Sequence, residues 1–334
     1  PLRIAVIGCG LIGARRARTA RDHARTRLAA VADPDAALAR AASAGVAEIG
    51  GEWRAIVERD DVDAVVVSTP NALLAEIVVA ALEAGKHVLM EKPMGRSLAE
   101  AERIADATAR SGSVLRVGFN HRFHPALRRA QRIVRSGELG RLITLRARYG
   151  HGGRPGLENE WRSDPAQAGG GELIDQGVHI ADLLHWLAGM PAEAFAYVQT
   201  AAWPIAPLED NAYGLLRFPN GAVGQLHASM TQWKNLFSLE VHGEAGAVVV
   251  EGLGGSYGVE RLQRIGRALE GGSPVVREER FDGEDRSWTD EWAAFVAAID
   301  GAGAEGAGAS EGIAAMRIID ALYRSSRSGT PVAV

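Results

Sequence analysis

The sequence predicts an α/β plus α+β architecture: a first domain on an open, mostly parallel sheet and a second on a large, mostly antiparallel sheet. Three observations predict it. Short apolar runs alternate with helical stretches as far as residue 118, and the first run leads straight into a glycine-rich turn. Beyond residue 120, strand follows strand across short turns. A length of 334 residues with 47% hydrophobic composition suffices for two domains. The formal charge of −4 gives no electrostatic case for nucleic acid or an anionic membrane. The single cysteine, Cys9, excludes an intrachain disulfide and fits a cytoplasmic compartment. No run approaches the roughly eighteen apolar residues of a membrane span, and a strand at the start leaves no room for a signal peptide in the chain as given. Lysine occurs only at positions 86, 92 and 234, so a lysine inside a motif stands out.

Leu2 to Ile7 is a β-branched and aliphatic run that enters Gly8-Cys9-Gly10-Leu11-Ile12-Gly13, and a second run, Leu28 to Ala32, ends at Asp33. That order supplies strand, turn, helix and strand, as a dinucleotide site requires. Gly8 takes the tight turn, Gly10 admits a pyrophosphate to the backbone, and Gly13 lets the helix lie against the sheet. The helix N-terminus then receives the phosphate charge. Asp33 stands where a carboxylate accepts the hydroxyls of an adenosine ribose, so NAD is expected over NADP, whose 2′-phosphate would meet like charge. Pro34 and Asp35 supply no compensating arginine, although Arg15 or Arg16 could approach the ribose from another strand end.

Helices are expected from Leu11 to about His23, from Pro34-Asp35 to Gly45, over Leu73–Ala84 and over about Leu98–Arg110 with Ser97 as N-cap. Val62 to Ser68, His87 to Met90 and Val114 to Gly118 read as buried parallel strands. Ser68-Thr69-Pro70-Asn71, Glu91-Lys92-Pro93 and Phe119 to Arg122 follow such strand ends, where ligands of these sheets sit. The second domain opens with a helix over Pro125–Arg135 and a strand over Leu139–Tyr149. Residues 150–172 form a Gly/Pro-rich loop holding Arg154, Trp161 and Arg162. A helix over Leu173–Leu187 follows, then strands near 192–199, 211–218, 222–230 and 236–243. Helices over 289–300 and 309–325 flank a Gly/Ala linker, Gly301 to Ser310, read as a surface connection.

Two constellations carry chemistry. Lys92 lies at a strand end between Glu91 and Pro93; the bland alternative is a surface charge paired with Glu91. Asp175 and His179, four apart on one helix, share a face, so the carboxylate can orient the imidazole or bind a hydroxyl. Their bland alternative is a surface ion pair or a structural histidine. A metal reading through Asp175, His179, Asp182 or His185 lacks a compact donor motif, so no metal is expected and a chelator should leave activity unaffected.

Taken together, these segments resemble the NAD(P)-dependent sugar and polyol oxidoreductases typified by glucose–fructose oxidoreductase and myo-inositol 2-dehydrogenase. The likeness rests on Gly8 to Gly13, Ser68 to Asn71, Glu91-Lys92-Pro93, Gly118-Phe119-Asn120 with Arg122, and Gly170-Gly171 leading to Asp175-x-Gly177-x-His179. A last segment, Ala314 to Gly329 with Ala321, Tyr323 and Ser325, completes it. The resemblance implies a Rossmann domain over 1–120 and a substrate-binding and oligomerisation domain over 121–334, with C-terminal helices packing back on the first. It also implies dimer or tetramer contacts through the sheet. Cofactor contacts would come from Gly8, Gly10, Leu11, Ile12, Gly13, Asp33, Ser68, Thr69, Pro70, Asn71, Glu91 and Lys92. Lys92 would hold nicotinamide ribose and substrate, His179 would be the acid/base, and Asp175 would align it. Asn120, Arg122, Trp161 and Arg162 join these three as substrate-binding candidates. The resemblance points to a cis bond before Pro93, which sequence alone does not settle. Two departures are Leu74, where a histidine is common, and the pair His121 and His124 around Arg122.

The expected function is an NAD-dependent dehydrogenase for a secondary hydroxyl of a cyclic polyol, sugar or sugar derivative. One alternative uses transient oxidation for epimerisation, elimination or glycoside cleavage. Another is a non-catalytic dinucleotide-binding sensor. Arg122 and Arg162 leave an acidic or nucleotide-linked sugar open at this point.

Overall fold

The computed structural model describes residues 1–303 and 305–334. Its chain divides into two units. One takes Pro1–Asn120, Ala166–Gly169 and Ser287–Ile313; the other takes His121–Pro165, Gly170–Arg286 and Ala314–Val334. Residues 166–169, read from the sequence as part of the second domain's loop, thus group with the first unit.

In the first unit the strands are β1 (Leu2–Ile7), β2 (Thr26–Ala32), β3 (Glu48–Gly50), β4 (Ala64–Val67), β5 (His87–Glu91) and β6 (Leu115–Gly118). Between them run α1 (Leu11–Asp22), α2 (Ala36–Ser43), α3 (Trp53–Val57), α4 (Asn71–Glu83) and α5 (Leu98–Ser111). The order is β3-β2-β1-β4-β5-β6, with every pairing parallel. All four β4 residues are buried, as a strand covered on both faces must be. The order reverses between β1 and β4, and the turn at Gly8 and the segment at Ser68 leave the sheet at that point. Such a crevice is where open α/β sheets bind ligands. Caps follow the chemistry of the sequence: Asp35 accepts from the N–H groups of Ala37 and Leu38, and Ser97 accepts from that of Glu100. The short edge strand β3 and the five-residue α3 were not anticipated, being too brief for a periodic signal.

The first unit's core joins Ile4, Val6, Val31, Val66 and Leu89 to Trp292, Phe295 and Val296 of the helix Ser287–Ile299. The Gly/Ala linker is more than a surface connection, because Val117 N–H donates to the buried Ala307 carbonyl at 2.9 Å. Ala304 of that linker lies outside the described residues.

The second unit holds α6 (Pro125–Arg135) and β7 (Leu142–Gly150). The 150–172 segment condenses into single turns, Leu157–Asn159 and Trp161–Ser163, and the short helix α7 (Pro165–Ala168) at the unit boundary. The helix expected over Leu173–Leu187 is two helices, α8 (Glu172–Asp175) and α9 (Gly177–Ala188), parted at Gln176. Then come β8 (Glu193–Gln199), β9 (Asn211–Arg217), β10 (Val223–Ser229), β11 (Leu236–Gly243), β12 (Gly246–Glu251), β13 (Glu260–Gly266), β14 (Val276–Phe281) and β15 (Val332–Ala333). They form one nine-stranded sheet, β14-β13-β12-β11-β7-β10-β9-β8-β15, antiparallel except for β7 with β10. Along β9, Ala212, Gly214 and Leu216 turn inward while Tyr213, Leu215 and Arg217 are exposed, the period-two pattern of a sheet with one covered face. No helix among the described residues is long and apolar enough to cross a membrane.

Truncating the fully buried Trp292 should cost about 3–5 kcal/mol by loss of burial and cavity formation. The expected outcome for Trp292→Ala is therefore a clear fall in the urea midpoint. A loss below about 1 kcal/mol would show that the indole is not part of this core.

Candidate active site

At the first unit's crevice, Gly8 has φ +86°, and a Cβ there would come within 2.6 Å of the Ser68 carbonyl oxygen. A Cβ on Gly13 would collide with the Gly8 carbonyl, whereas the space beside Gly10 is open. No side chain caps α1, and Leu11 is 84% exposed, so the first-turn N–H groups of Leu11, Ile12 and Gly13 are placed to take an anion. The Asp33 carboxylate is pinned by two backbone donors, Cys9 N–H at 2.7 Å and Asp35 N–H at 2.8 Å. Each oxygen retains acceptor capacity for a ribose hydroxyl. Ser68 Oγ and Thr69 Oγ1 are buried with no hydrogen-bond partner among the described residues. Buried hydroxyls are ordinarily satisfied, so this pair marks a place that a polar ligand completes. The residues present fit a dinucleotide.

Other expectations for this unit change. Arg16 is fully buried, with Nη2 2.7 Å from Glu91 and Nη1 2.6 Å from Glu291, and its guanidinium lies 4.4 Å from the Trp288 ring. Its guanidinium is committed to these two carboxylates, and Arg15 stacks on the same indole at 4.9 Å. Glu91 Oε1 accepts from Arg16 Nε at 2.7 Å, which holds its side chain at the strand end. Pro70 precedes α4, and Asn71 Nδ2 donates to the Ala168 carbonyl at 2.9 Å. Asn120 Nδ2 donates to Ser287 Oγ at 2.9 Å, a structural anchor within this unit. Lys92 is half-buried just past β5, and the Lys92–Pro93 bond is cis.

In the second unit, the break at Gln176 puts Asp175 at the end of α8 and His179 in the first turn of α9, so they are not neighbours along one continuous helix. Asp175 Oδ2 lies 3.3 Å from Arg162 Nε, and Arg162 also stacks over Trp161 at 4.4 Å. Buried His179 faces the ring of His121 with centroids 3.9 Å apart, and Tyr149 presents its edge at 5.9 Å. Arg122 does not reach into open space: it pairs in two bonds with buried Asp182, at 2.8 and 2.6 Å. Sequence reasoning did not assign His121, Tyr149, Tyr257, His151 or Glu172 to this neighbourhood. Only His121 carried a signal, as a departure from the family pattern. Burial, with Tyr257 next to it and the charges of Glu172 and Asp175, pushes the Tyr149 phenol well above its ordinary range. His151 Nε2 lies 3.7 Å from fully buried Glu172.

The start of α8 is fixed by Glu209. Its carboxylate accepts from Gly171 N–H and Leu173 N–H, each at 3.0 Å, and from Tyr323 O–H at 2.6 Å, while its carbonyl accepts from Glu172 N–H. Burial raises this carboxyl despite those bonds.

Arg122→Met alone should cost about 3–5 kcal/mol, because it strands the buried charge of Asp182. Arg122→Met with Asp182→Leu should recover most of that loss in the same urea titration. A double variant no more stable than the single one would show that the pair is not coupled in this way.

Residues 2–119 match the family described as "Oxidoreductase family, NAD-binding Rossmann fold", and residues 127–249 match "GFO/IDH/MocA C-terminal domain". A levoglucosan dehydrogenase of Pseudarthrobacter phenanthrenivorans is 31% identical over 249 residues, which is 67% of this chain but only 64% of that protein. An inositol 2-dehydrogenase of Saccharopolyspora erythraea is 29% identical over 348 residues, covering 100% of this chain and 95% of its own. The solved structure of a levoglucosan dehydrogenase with NADH and levoglucosan superposes with a TM-score of 0.89 at 26% identity, over 100% of this chain and 99% of that one. With the parallel sheet, its glycine turn and the nine-stranded partner already described, the chain belongs to the GFO/IDH/MocA family of oxidoreductases.

Proposed function

We propose that this protein is an NAD-dependent dehydrogenase for a secondary hydroxyl of a neutral cyclic polyol or sugar. The observation that carries this reading is the environment of His179: a buried imidazole walled by His121 and Tyr149, in a unit whose two candidate anion-reading arginines are committed to Asp182 and Asp175. NAD, when bound, supplies the hydride acceptor. The chain's part is to bind, orient and move one proton. His179 takes that proton from the substrate hydroxyl during oxidation and returns it during reduction. Asp175, steadied by Arg162, accepts from a neighbouring hydroxyl. Lys92 lends its ammonium to the oxygen on which negative charge grows. With their guanidinium charges answered internally, Arg122 and Arg162 favour uncharged substrates over uronates or nucleotide sugars. The named activities of the relatives, on levoglucosan and inositol, support the same class.

The reading extends to a homo-oligomer that covers the apolar rows Tyr197, Tyr213, Leu215 and Val223 on the sheet's exposed face. Light scattering should give a multiple of the 35.4 kDa chain mass; a monomer would refute it.

Initial-rate NADH formation across inositols, pyranoses, uronates and nucleotide sugars, with and without chelator, tests the substrate class. Neutral cyclic compounds should turn over, and their acidic counterparts should be about tenfold or more poorer in kcat/KM. Exclusive use of an acidic sugar would overturn the assignment, and product without net NADH would favour transient oxidation instead. Lys92→Ala should lower kcat/KM by about 10²-fold or more. His179→Ala should lower kcat by about 10²–10⁴-fold and abolish the acidic limb of the pH profile, with NAD affinity retained. Near-normal kcat with an unchanged profile would refute the base assignment.

Cofactor choice is tested separately. NAD should have the higher kcat/KM, and Asp33→Ala should narrow its lead over NADP, since the carboxylate fixed by Cys9 and Asp35 meets a 2′-phosphate with like charge. Equal or better use of NADP by the unmodified enzyme would sink this preference.

A further inference from the structure

His121 and His179 are both buried, and their rings face one another with centroids 3.9 Å apart and planes inclined by 37°. They come from separate elements, the turn Asn120–Phe123 and α9, so chain connectivity does not force the contact. Tyr149 of β7 closes the side of the pair, its ring 4.9 Å from His121 and 5.9 Å from His179, and Phe237 of β11 stands 5.8 Å from His121.

We infer that His121 is a positioning residue for His179, the two imidazoles forming a tilted, closely packed pair in which one proton resists the addition of a second. This inference rests on the reading of His179 as the acid/base.

Two cations at this separation, walled by aromatic rings, repel strongly, so a proton on either ring favours the neutral form of the other. Such a pair titrates in two macroscopic steps. Several charged groups around it lie beside partners of opposite sign. On the His121 side, His124 lies 5.7 Å away with its Nδ1 3.0 Å from Glu260, and adjacent Arg122 is paired with Asp182. On the α8 side, Asp175 is shared with Arg162 and Glu172 lies near His151. Tyr149 and its neighbour Tyr257 remain neutral phenols, since burial raises both. The close ring contact fixes the plane of the His179 ring, and the charge state of His121 sets how strong a base His179 is. With a proton on His121, His179 stays neutral to lower pH than a lone imidazole but is a weaker base; its full basicity toward the substrate's hydroxyl proton belongs to the state in which His121 is neutral.

The test is an NMR titration of ¹⁵N-histidine protein, with His121→Phe and His121→Asn as comparisons, beside kcat/KM–pH profiles on the best panel substrate. In the unmodified protein His179 should titrate in two steps separated by about one pH unit or more. In both variants it should titrate in a single step, and the acid limb of the rate profile should change from two stages to one. His121→Phe keeps a ring in contact, so KM should stay within about threefold while the profile changes. If His121→Phe fails to fold, His121→Asn carries the comparison. An identical single-step titration in all three proteins would overturn the inference, as would variants that lose only stability. Because the NMR titration needs no substrate, it stands apart from the base assignment. A His179→Ala enzyme with an unchanged rate profile would defeat that assignment, and coupled NMR titrations would still establish the pair.

Discussion

Glu209 carries the geometry of the second unit on one buried carboxylate. It gathers the amides of Gly171 and Leu173 and the hydroxyl of Tyr323, a residue of the helix Ala309–Ser328 more than a hundred positions away. Those amides belong to the start of α8, where the backbone would otherwise hold unsatisfied donors away from water. A carboxylate meets them well, since the N-terminal end of a helix favours negative charge. Burial opposes ionisation and raises the carboxyl, so the hydrogen bonds offset a desolvation cost that a neutral residue would not incur. Everything downstream inherits this placement: Asp175 ends α8, the chain breaks at Gln176, and His179 enters on the first turn of α9. The glycines at 170 and 171 follow from it too, because Tyr323 and the Glu209 backbone occupy the space their side chains would need.

The first unit relies on a comparable device of opposite polarity. Fully buried Arg16 joins α1 to the end of β5 through Glu91 and to the helix Ser287–Ile299 through Glu291, beneath the ring of Trp288. A guanidinium without water is tolerated only when partners surround it, and here two carboxylates and an indole face do so. Glu91 is thereby immobilised, and with it the backbone from which Lys92 projects. In each unit a charge that is not itself a candidate for the chemistry sets the position of one that is.

How much was legible from sequence depends on how local the determining signal is. The six-stranded sheet and its glycine turn were readable because Leu2–Asp33 contains strand, turn, helix and strand in one short stretch, and the valines of β4 advertise burial on both faces. The late strands were not foreseen: β13 and β14 mix arginine and glutamate with few apolar residues, since β13 buries little and the edge strand β14 buries nothing, and no alternation stands out from the noise. Arg122 looked like a substrate contact because an arginine at a strand end has that potential; its fate was set by Asp182, sixty residues on. Asp175 and His179 fit the i, i+4 rule, but Gly177 between them weakens the helix at that point. His121 was noticed for its unusual identity alone, and only the fold reveals the ring it meets.

Cys9 lies inside the nucleotide-binding turn, where burial and the charge of Asp33 push its thiol up to about 12, with Sγ 3.6 Å from the Ala32 carbonyl. At neutral pH it stays a thiol, and a thiol is a poor nucleophile. With Cys9 buried and no other cysteine in the sequence, the folded chain should react slowly with alkylating and oxidising reagents at sulfhydryl groups. A cysteine introduced at any exposed position would be the sole reactive one, a clean attachment point for a spectroscopic label. Reactivity appearing at Cys9 itself would report that the turn around Asp33 had opened.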